Sequence, residues 1–348
     1  MRPHLRRSLL RPTPLKVIGV TGFLGGISYL HVARKQSRVQ PATINETGDP
    51  LIGPGMDHLK AHKEPLFNLD RIPKFVASRF NADSPPNGIL WNLGSTVVVG
   101  SVGITSKLFL KAFAPTKVFN KEPFQELLDD QTRDRPIITV ANHASVIDDP
   151  ILWGILPVRT LCNIEKMRWV LGAAEICFTN PITSLFFGMG QVIPTVRGYG
   201  IYQPAVDFAI HKANQNKWLH VFPEARVNQE ESLIRFKWGV GRMVMEAERC
   251  PIVVPMWHTG LSEIRPLQGP PIRLFKPITI AFGDPIDFQD TLDQWKSGRI
   301  DEETARIQIT DRIFKTLGEL REKTERMMED VQRGVKDGEG ELEHTSNP

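Results

Sequence analysis

Acidic residues are missing from the start of this chain. No Asp or Glu precedes Glu46, while Arg2, Arg6, Arg7, Arg11, Lys16, Arg34, Lys35 and Arg38 all fall in that stretch. An arginine-rich opening without acids suits an import leader or an anionic membrane surface, and a solvated basic tail is the plain alternative. Cysteine is scarce as well. There are three, Cys162, Cys177 and Cys250, and none stands in a C-x-x-C pair. That spacing argues against a zinc site and against a disulfide framework, so buried free thiols are expected and no metal. Two phosphate-cradling loops are also absent. Neither G-x-x-x-x-G-K-[ST] nor G-x-G-x-x-G occurs, which disfavours a nucleotide enzyme. The G-x-S-x-G elbow is missing too, which disfavours a serine hydrolase.

What is present suffices for a packed domain. The chain is 41% hydrophobic and 24% charged over 348 residues, values that allow a sizeable core and exclude wholesale disorder. Residues 1–35 form a basic leader whose uncharged part, Val17 to Ala33, is just long enough to span a bilayer, or is the apolar part of an import signal. Residues 36–83 read as a connector punctuated by Pro, Gly and Asn. Residues 84–114 contain a second uncharged stretch, Ser84 to Ser106, with Trp91 near its start. Its Ser, Gly and Asn content points to a segment lying in the membrane interface, with a buried core helix as the alternative.

From about residue 115 to 300 strands and helices alternate. Strands are expected at Ile137–Val140, Gln191–Val196, Trp218–Phe222, Ile252–Trp257 and Ile278–Phe282, and helices at Ala205–Ala213 and Val240–Glu248. This is an α/β domain with a mixed or parallel central sheet. Ile309, Ile313, Leu317 and Leu320 recur at helical spacing, so residues 301–332 read as an amphipathic helix docked on the domain, followed by a polar tail over 333–348.

The chemistry collects at strand ends, where open α/β sheets bind ligands. After Ile137–Val140 comes Asn142-His143, and Asp148 follows five residues later. A carboxylate accepting one ring N–H fixes the histidine tautomer and leaves the other nitrogen free to take a proton from an alcohol. Asp149 is a second candidate partner. A second strand end carries Phe222-Pro223-Glu224 and Arg226, and a third carries Arg197. The planar fork of an arginine suits phosphate, and a structural ion pair between Glu224 and Arg226 is the alternative reading.

His143-x4-Asp148 within Asn-His-Ala-Ser-Val-Ile-Asp-Asp-Pro resembles the catalytic motif of the glycerolipid acyltransferase superfamily. Phe222-Pro223-Glu224 resembles its F-P-E-G motif, with Ala225 in place of the usual Gly. The flanking text is closer still to the tafazzin family, in Arg168-Trp169, Ala174–Phe178, Trp218-x-His220, Arg235–Gly239 and Pro255–His258. The match runs over about residues 115–290. It implies a glycerol-3-phosphate acyltransferase-like mixed sheet flanked by helices, with membrane-associated segments on its N-terminal side. It implies transfer of an acyl group from a phospholipid to a lysophospholipid, cardiolipin included, with no coenzyme A or other cofactor. His143 and Asp148 would be catalytic. Glu224, Arg226, Arg197, Phe222 and Pro223 would contact substrate. The implied partners are lipids and an anionic, cardiolipin-bearing membrane, not nucleic acid, and the resemblance leaves room for a homo-oligomer. The implied location is a mitochondrial membrane, inner or outer, facing the intermembrane space. The competing readings are an acyl-CoA-dependent acyltransferase and a membrane scaffold that has lost activity.

Overall fold

The computed structural model describes residues 67–82, 88–230, 232–268 and 272–344. The basic leader and most of the connector expected over 36–83 lie outside the described residues.

Seven strands form one sheet: β1 Thr116–Phe119, β2 Ile137–Ala141, β3 Trp169–Ala173, β4 Val192–Thr195, β5 Trp218–Val221, β6 Ile252–Thr259 and β7 Ile278–Phe282. Their order is β1-β7-β6-β2-β5-β3-β4. Every neighbouring pair is parallel except β6–β7. The sheet is therefore mixed. Five strands run one way, and β7 with β1 runs against them. The C-terminal end of β2 and the N-terminal end of β1 consequently share one rim.

The central strands are buried on both faces, which is why they read as near-continuous apolar runs. All five residues of β2 and all five of β7 are buried. Alternation then sorts them between two cores. Ile138, Val140, Leu219 and Val221 pack beneath helices Pro204–Asn214, Gly239–Glu246 and Glu302–His344. Ile137, Ala141, Trp218, Val254 and Met256 face the opposite layer. Ile309, Ile313 and Leu317 are wholly buried and Leu320 nearly so, as their spacing predicts. That helix continues along the backbone to His344, past the 332 boundary and into the segment expected as a tail.

Two strands escape most of this burial. In β1, Lys117 interrupts a run of four residues. In β3 only Val170 is buried, because the strand lies toward the β4 edge.

The opposite layer is dominated by α1, Ile89–Phe113. It is the one helix among the described residues long and apolar enough to cross a membrane, at a mean hydropathy of 1.5. Its 25 residues extend about 37 Å. One face packs on the domain along that length: Trp91, Ser95, Val99, Gly103, Ser106 and Leu110 recur at helical spacing and are buried. This face is rich in small residues because the neighbours come close. A Cβ on Gly94 would meet Met189 and one on Gly103 would meet Leu161, both inside 3 Å. The other face, Leu90, Leu93, Val97, Ile104 and Leu108, is equally apolar and exposed. The uncharged stretch that read as an interfacial segment or a core helix therefore has one docked face, where its small and polar residues lie, and one exposed apolar face.

The tightest approach is made from the other side. Gly154 lies in the helical turn Trp153–Ile155, and a Cβ there would fall 2.7 Å from the backbone of Ser106 and Lys107. Backbone cannot step aside as a flexible side chain does. Gly154→Ala should therefore cost about 1–3 kcal/mol by overpacking, read as a lower denaturation midpoint. An unchanged midpoint would show that α1 is not clamped at this point.

Candidate active site

The loop after β2 turns into the short helix α2, Asp148–Leu152, and brings the two ends of the histidine motif together. His143 Nδ1 lies 2.9 Å from Asp148 Oδ2. The same carboxylate oxygen accepts from Ser145 N at 2.8 Å, and the Asp148 side chain is fully buried. Ser145 is itself held, its hydroxyl donating to the Arg265 carbonyl at 2.9 Å. Since the carboxylate accepts, Nδ1 of a neutral His143 carries the proton. Nε2 then presents a lone pair, and among the described residues no protein group is recorded as bonding it. The imidazole is one-fifth exposed, so that nitrogen can be reached from outside.

A second histidine stands behind the pair. His258, at the end of β6, is fully buried, and its Nε2 is 2.8 Å from the Asn142 carbonyl and 3.6 Å from Asp148 Oδ2. Asn142 answers with two bonds to the His258 backbone, each 3.0 Å. A carbonyl oxygen only accepts, so Nε2 is the donor here. Burial pushes the His258 pKa down, and Asp148 opposes that only in part. Below the site, buried His220 shares a 2.8 Å hydrogen bond with Thr139, and burial pulls its pKa down to about 3. Both are neutral supports. Sequence reading placed His258 at a strand end but gave it no part in the site.

The Asp149 alternative is removed by a different bond. Arg168 grips Asp149 with Nε at 3.0 Å and with Nη2, and Trp153 Nε1 donates to it at 3.2 Å. Burial alone would raise the Asp149 pKa, but Arg168, with smaller help from His220 and Trp153, brings it below the ordinary carboxylate value.

The second strand-end segment closes over the first. Phe222 stacks on the His143 ring, with centroids 4.2 Å apart and planes 20° apart. The Pro223 carbonyl accepts from Lys237 N at 2.8 Å. Glu224, expected against substrate, is only 2% exposed and turns inward, accepting from His143 N at 3.0 Å. Burial raises its pKa, and the bond from His143 N works against that. Asn228 N donates to the His143 carbonyl at 2.7 Å, so both backbone groups of His143 are tied to this loop. Arg226 points outward, exposed, and forms no ion pair with Glu224. The structural ion-pair alternative is thereby removed. Arg226 and Arg235 lie near enough to Lys237 to lower its pKa, after burial, which makes a cationic cluster at this turn.

Arg197, the other expected phosphate donor, is committed elsewhere. Its Nε bonds Glu175, and both side chains are mostly buried. Cys177 beside them is pushed up to about 12 by burial and then by Glu175, so its thiol stays protonated.

Comparison with known proteins decides the family. The acyltransferase family matches residues 116–259, the stretch from β1 through β6. Tafazzin of Drosophila melanogaster is 40% identical over 264 residues, 74% of this chain and 69% of that protein. The chain belongs to the tafazzin family. It is an acyltransferase, and its substrates are lipids. The chain is also similar to an N-acylphosphatidylethanolamine synthase of Arabidopsis thaliana, at 34% identity over 206 residues, 57% of this chain and 72% of that protein. The crystal structure of the 1-acyl-sn-glycerophosphate acyltransferase PlsC from Thermotoga maritima aligns with a TM-score of 0.43 and 19% identity, covering 65% of this chain and 79% of that one.

Ala225 departs from the Gly of the superfamily pattern, and it sits at φ 56°, in the left-handed region. A residue with a Cβ there costs about 1–2 kcal/mol. Ala225→Gly should therefore raise stability by about 1 kcal/mol, less the backbone entropy that glycine loses on folding. The denaturation midpoint measures this. A fall on substitution would mean that the turn gains more from the Ala225 methyl than it loses to strain.

Proposed function

We propose that this acyltransferase moves a fatty acyl group from a phospholipid to the free hydroxyl of a lysophospholipid, with His143 as general base and Asp148 as its orienting partner. The 2.9 Å bond from Nδ1 to a buried carboxylate, with Nε2 left open at the rim, carries this reading. Nε2 takes the hydroxyl proton as that oxygen attacks the donor ester carbonyl. Asp148 stabilises the imidazolium so formed. When the tetrahedral intermediate collapses, the carbon–oxygen bond to the donor glycerol breaks and Nε2–H protonates the departing oxygen. The products are a new phospholipid and a new lysophospholipid, with no proton gained or lost. No coenzyme A enters this scheme.

Glu224 acts through the backbone of His143, as a positioning residue. Arg226, with Arg235 and Lys237 beside it, is the group we assign to the lipid phosphodiester. Holding the phosphate would set the lysolipid hydroxyl near Nε2, which is catalysis by orientation. Phe222 and Pro223 form the wall against which the imidazole rests. Arg197 is assigned a structural role through Glu175.

We further assign α1 to a membrane interface. Its inner face is docked along the domain, so the helix lies along the protein surface and offers Leu90, Leu93, Val97, Ile104 and Leu108 to lipid. With the basic, acid-free opening of the sequence, this supports an anionic membrane, with cardiolipin among the substrates and a mitochondrial surface facing the intermembrane space as the location. The same base accommodates an amine acceptor, and the likeness to an N-acylphosphatidylethanolamine synthase favours testing that as a second reading.

The test is transfer of a labelled acyl chain in vesicles by the purified chain. We expect label on lysophospholipid with phospholipid as the sole donor. A strict need for acyl-CoA would overturn the donor assignment, and label on the phosphatidylethanolamine nitrogen would favour the second reading. His143→Ala should lower the rate about 10²–10⁴-fold in a folded protein. Asp148→Asn should approach it through the wrong tautomer, whereas Asp149→Asn should act mainly on stability through Arg168. Near-normal turnover in folded His143→Ala protein would end this mechanism. Arg226→Lys keeps the charge and loses the fork, so apparent KM for lysolipid should rise with kcat nearly held. A lower melting temperature at unchanged KM would make Arg226 scaffold instead.

A further inference from the structure

A basic groove runs along the edge of the sheet, away from the histidine. It measures about 550 Å³ and runs between the C-terminal turns of α1, the edge strand β1 and the turn Trp153–Ile155. Lys107, Lys111 and Lys121 line it, and Leu110, Ile155 and Phe275 supply apolar wall. None of the three lysines pairs with a carboxylate among the described residues. Lys107 Nζ donates to the carbonyls of Leu156 at 2.9 Å and Gly154 at 3.3 Å, so its stem is fixed. Burial, and then Lys121, holds its pKa below the ordinary lysine value, a strain that an anion in the groove would relieve.

The groove continues into the exposed apolar surface. Leu108 on α1 is 61% exposed and Phe275 at the mouth is 66% exposed. Because β1 runs against β2, its first residues and His143 lie at one end of the sheet. Three inter-strand steps separate β1 from β2, about 14 Å. The Pro115–Thr116 end of the groove therefore opens toward the rim that bears His143, and Lys121, beyond the far end of β1, lines its other end.

We propose that the groove is a second lipid site, taking an anionic phospholipid by its phosphate at Lys107, Lys111 and Lys121 with its acyl chain along Leu110 and Phe275. This rests on the lipid-facing reading of α1 and does not involve the His143–Asp148 pair. Charge complementarity selects the occupant. The chain's own opening residues carry no acid before Glu46 and have the wrong sign. The acidic end of the C-terminal helix, Glu339, Glu341 and Glu343, has the right sign. That helix, however, crosses the opposite face of the sheet, where Thr279 meets Met328.

The experiment is flotation of the full chain with phosphatidylcholine vesicles, with and without phosphatidylglycerol, at fixed ionic strength. The pair Lys111→Gln and Lys121→Gln leaves the carbonyl bonds of Lys107 intact. It should weaken partitioning onto the anionic vesicles roughly 10- to 30-fold and leave binding to neutral vesicles unchanged. A control pair on exposed helix surface, Lys296→Gln and Lys315→Gln, should change it less than about twofold if the effect is local. Equal losses in both pairs would reduce the groove to diffuse surface charge, and no loss in the first pair would overturn it. Competition by inorganic phosphate at matched ionic strength would also overturn it, since the site would then read a free anion. Stronger lysine-dependent binding after Glu339, Glu341 and Glu343 are changed to Gln would identify the chain's own tail as the occupant, and would overturn it too. Acyl transfer in neutral vesicles, followed in the same variants, reads the His143 site separately.

Discussion

The contact on which the structure depends is the hydrogen bond between His143 Nδ1 and Asp148 Oδ2. A carboxylate with no exposed surface is costly unless it is bonded, and among the described residues Asp148 Oδ2 holds the imidazole and the Ser145 amide, with His258 at longer range, while Oδ1 is buried without a partner. Much of the surroundings can be understood as protection of that arrangement. The Ser145 hydroxyl anchors the loop, Asn142 and His258 lock the two neighbouring strand ends, and Phe222 covers one face of the ring. Glu224 and Asn228 hold the backbone of His143 from the facing loop. One bond thus organises three strand ends, β2, β5 and β6, which are adjacent in the sheet.

The layer built on α1 follows from the same need for precise placement. Helix α2 begins at Asp148 and the turn around Gly154 comes straight after it, so whatever α1 packs against also bears on the carboxylate. Small residues on α1 and on that turn let the backbones approach closely, which joins the apolar surface to the site by rigid contact.

Much of this was legible in the residues. The five apolar strands, the α/β class and the docked C-terminal helix follow from periodicity, because burial on both faces of a sheet and on one face of a helix leaves distinct patterns. Spacing at a strand end offered His143 two partners, Asp148 and Asp149, and the family resemblance pointed to Asp148. The partners of the other charged groups had no such signal. Arg197 meets Glu175 and Arg168 meets Asp149 across about twenty residues of chain, through folding that no local pattern encodes. Glu224 and Arg226 are two residues apart and invited an ion pair. The left-handed Ala225 between them sends one inward and the other to solvent. Strand β1 is four residues long and carries Lys117, so it left no apolar run, whereas β3 is apolar throughout but short and only partly covered, and it was not singled out as a strand.

The most direct test of the account is the protonation of the His143 ring itself. Nitrogen-15 NMR of the neutral imidazole distinguishes its two tautomers. The account predicts a proton on Nδ1, bonded to Asp148, and a bare Nε2 facing the rim. A proton on Nε2 in the folded wild-type protein would leave no base aimed at the lysolipid hydroxyl and would contradict it.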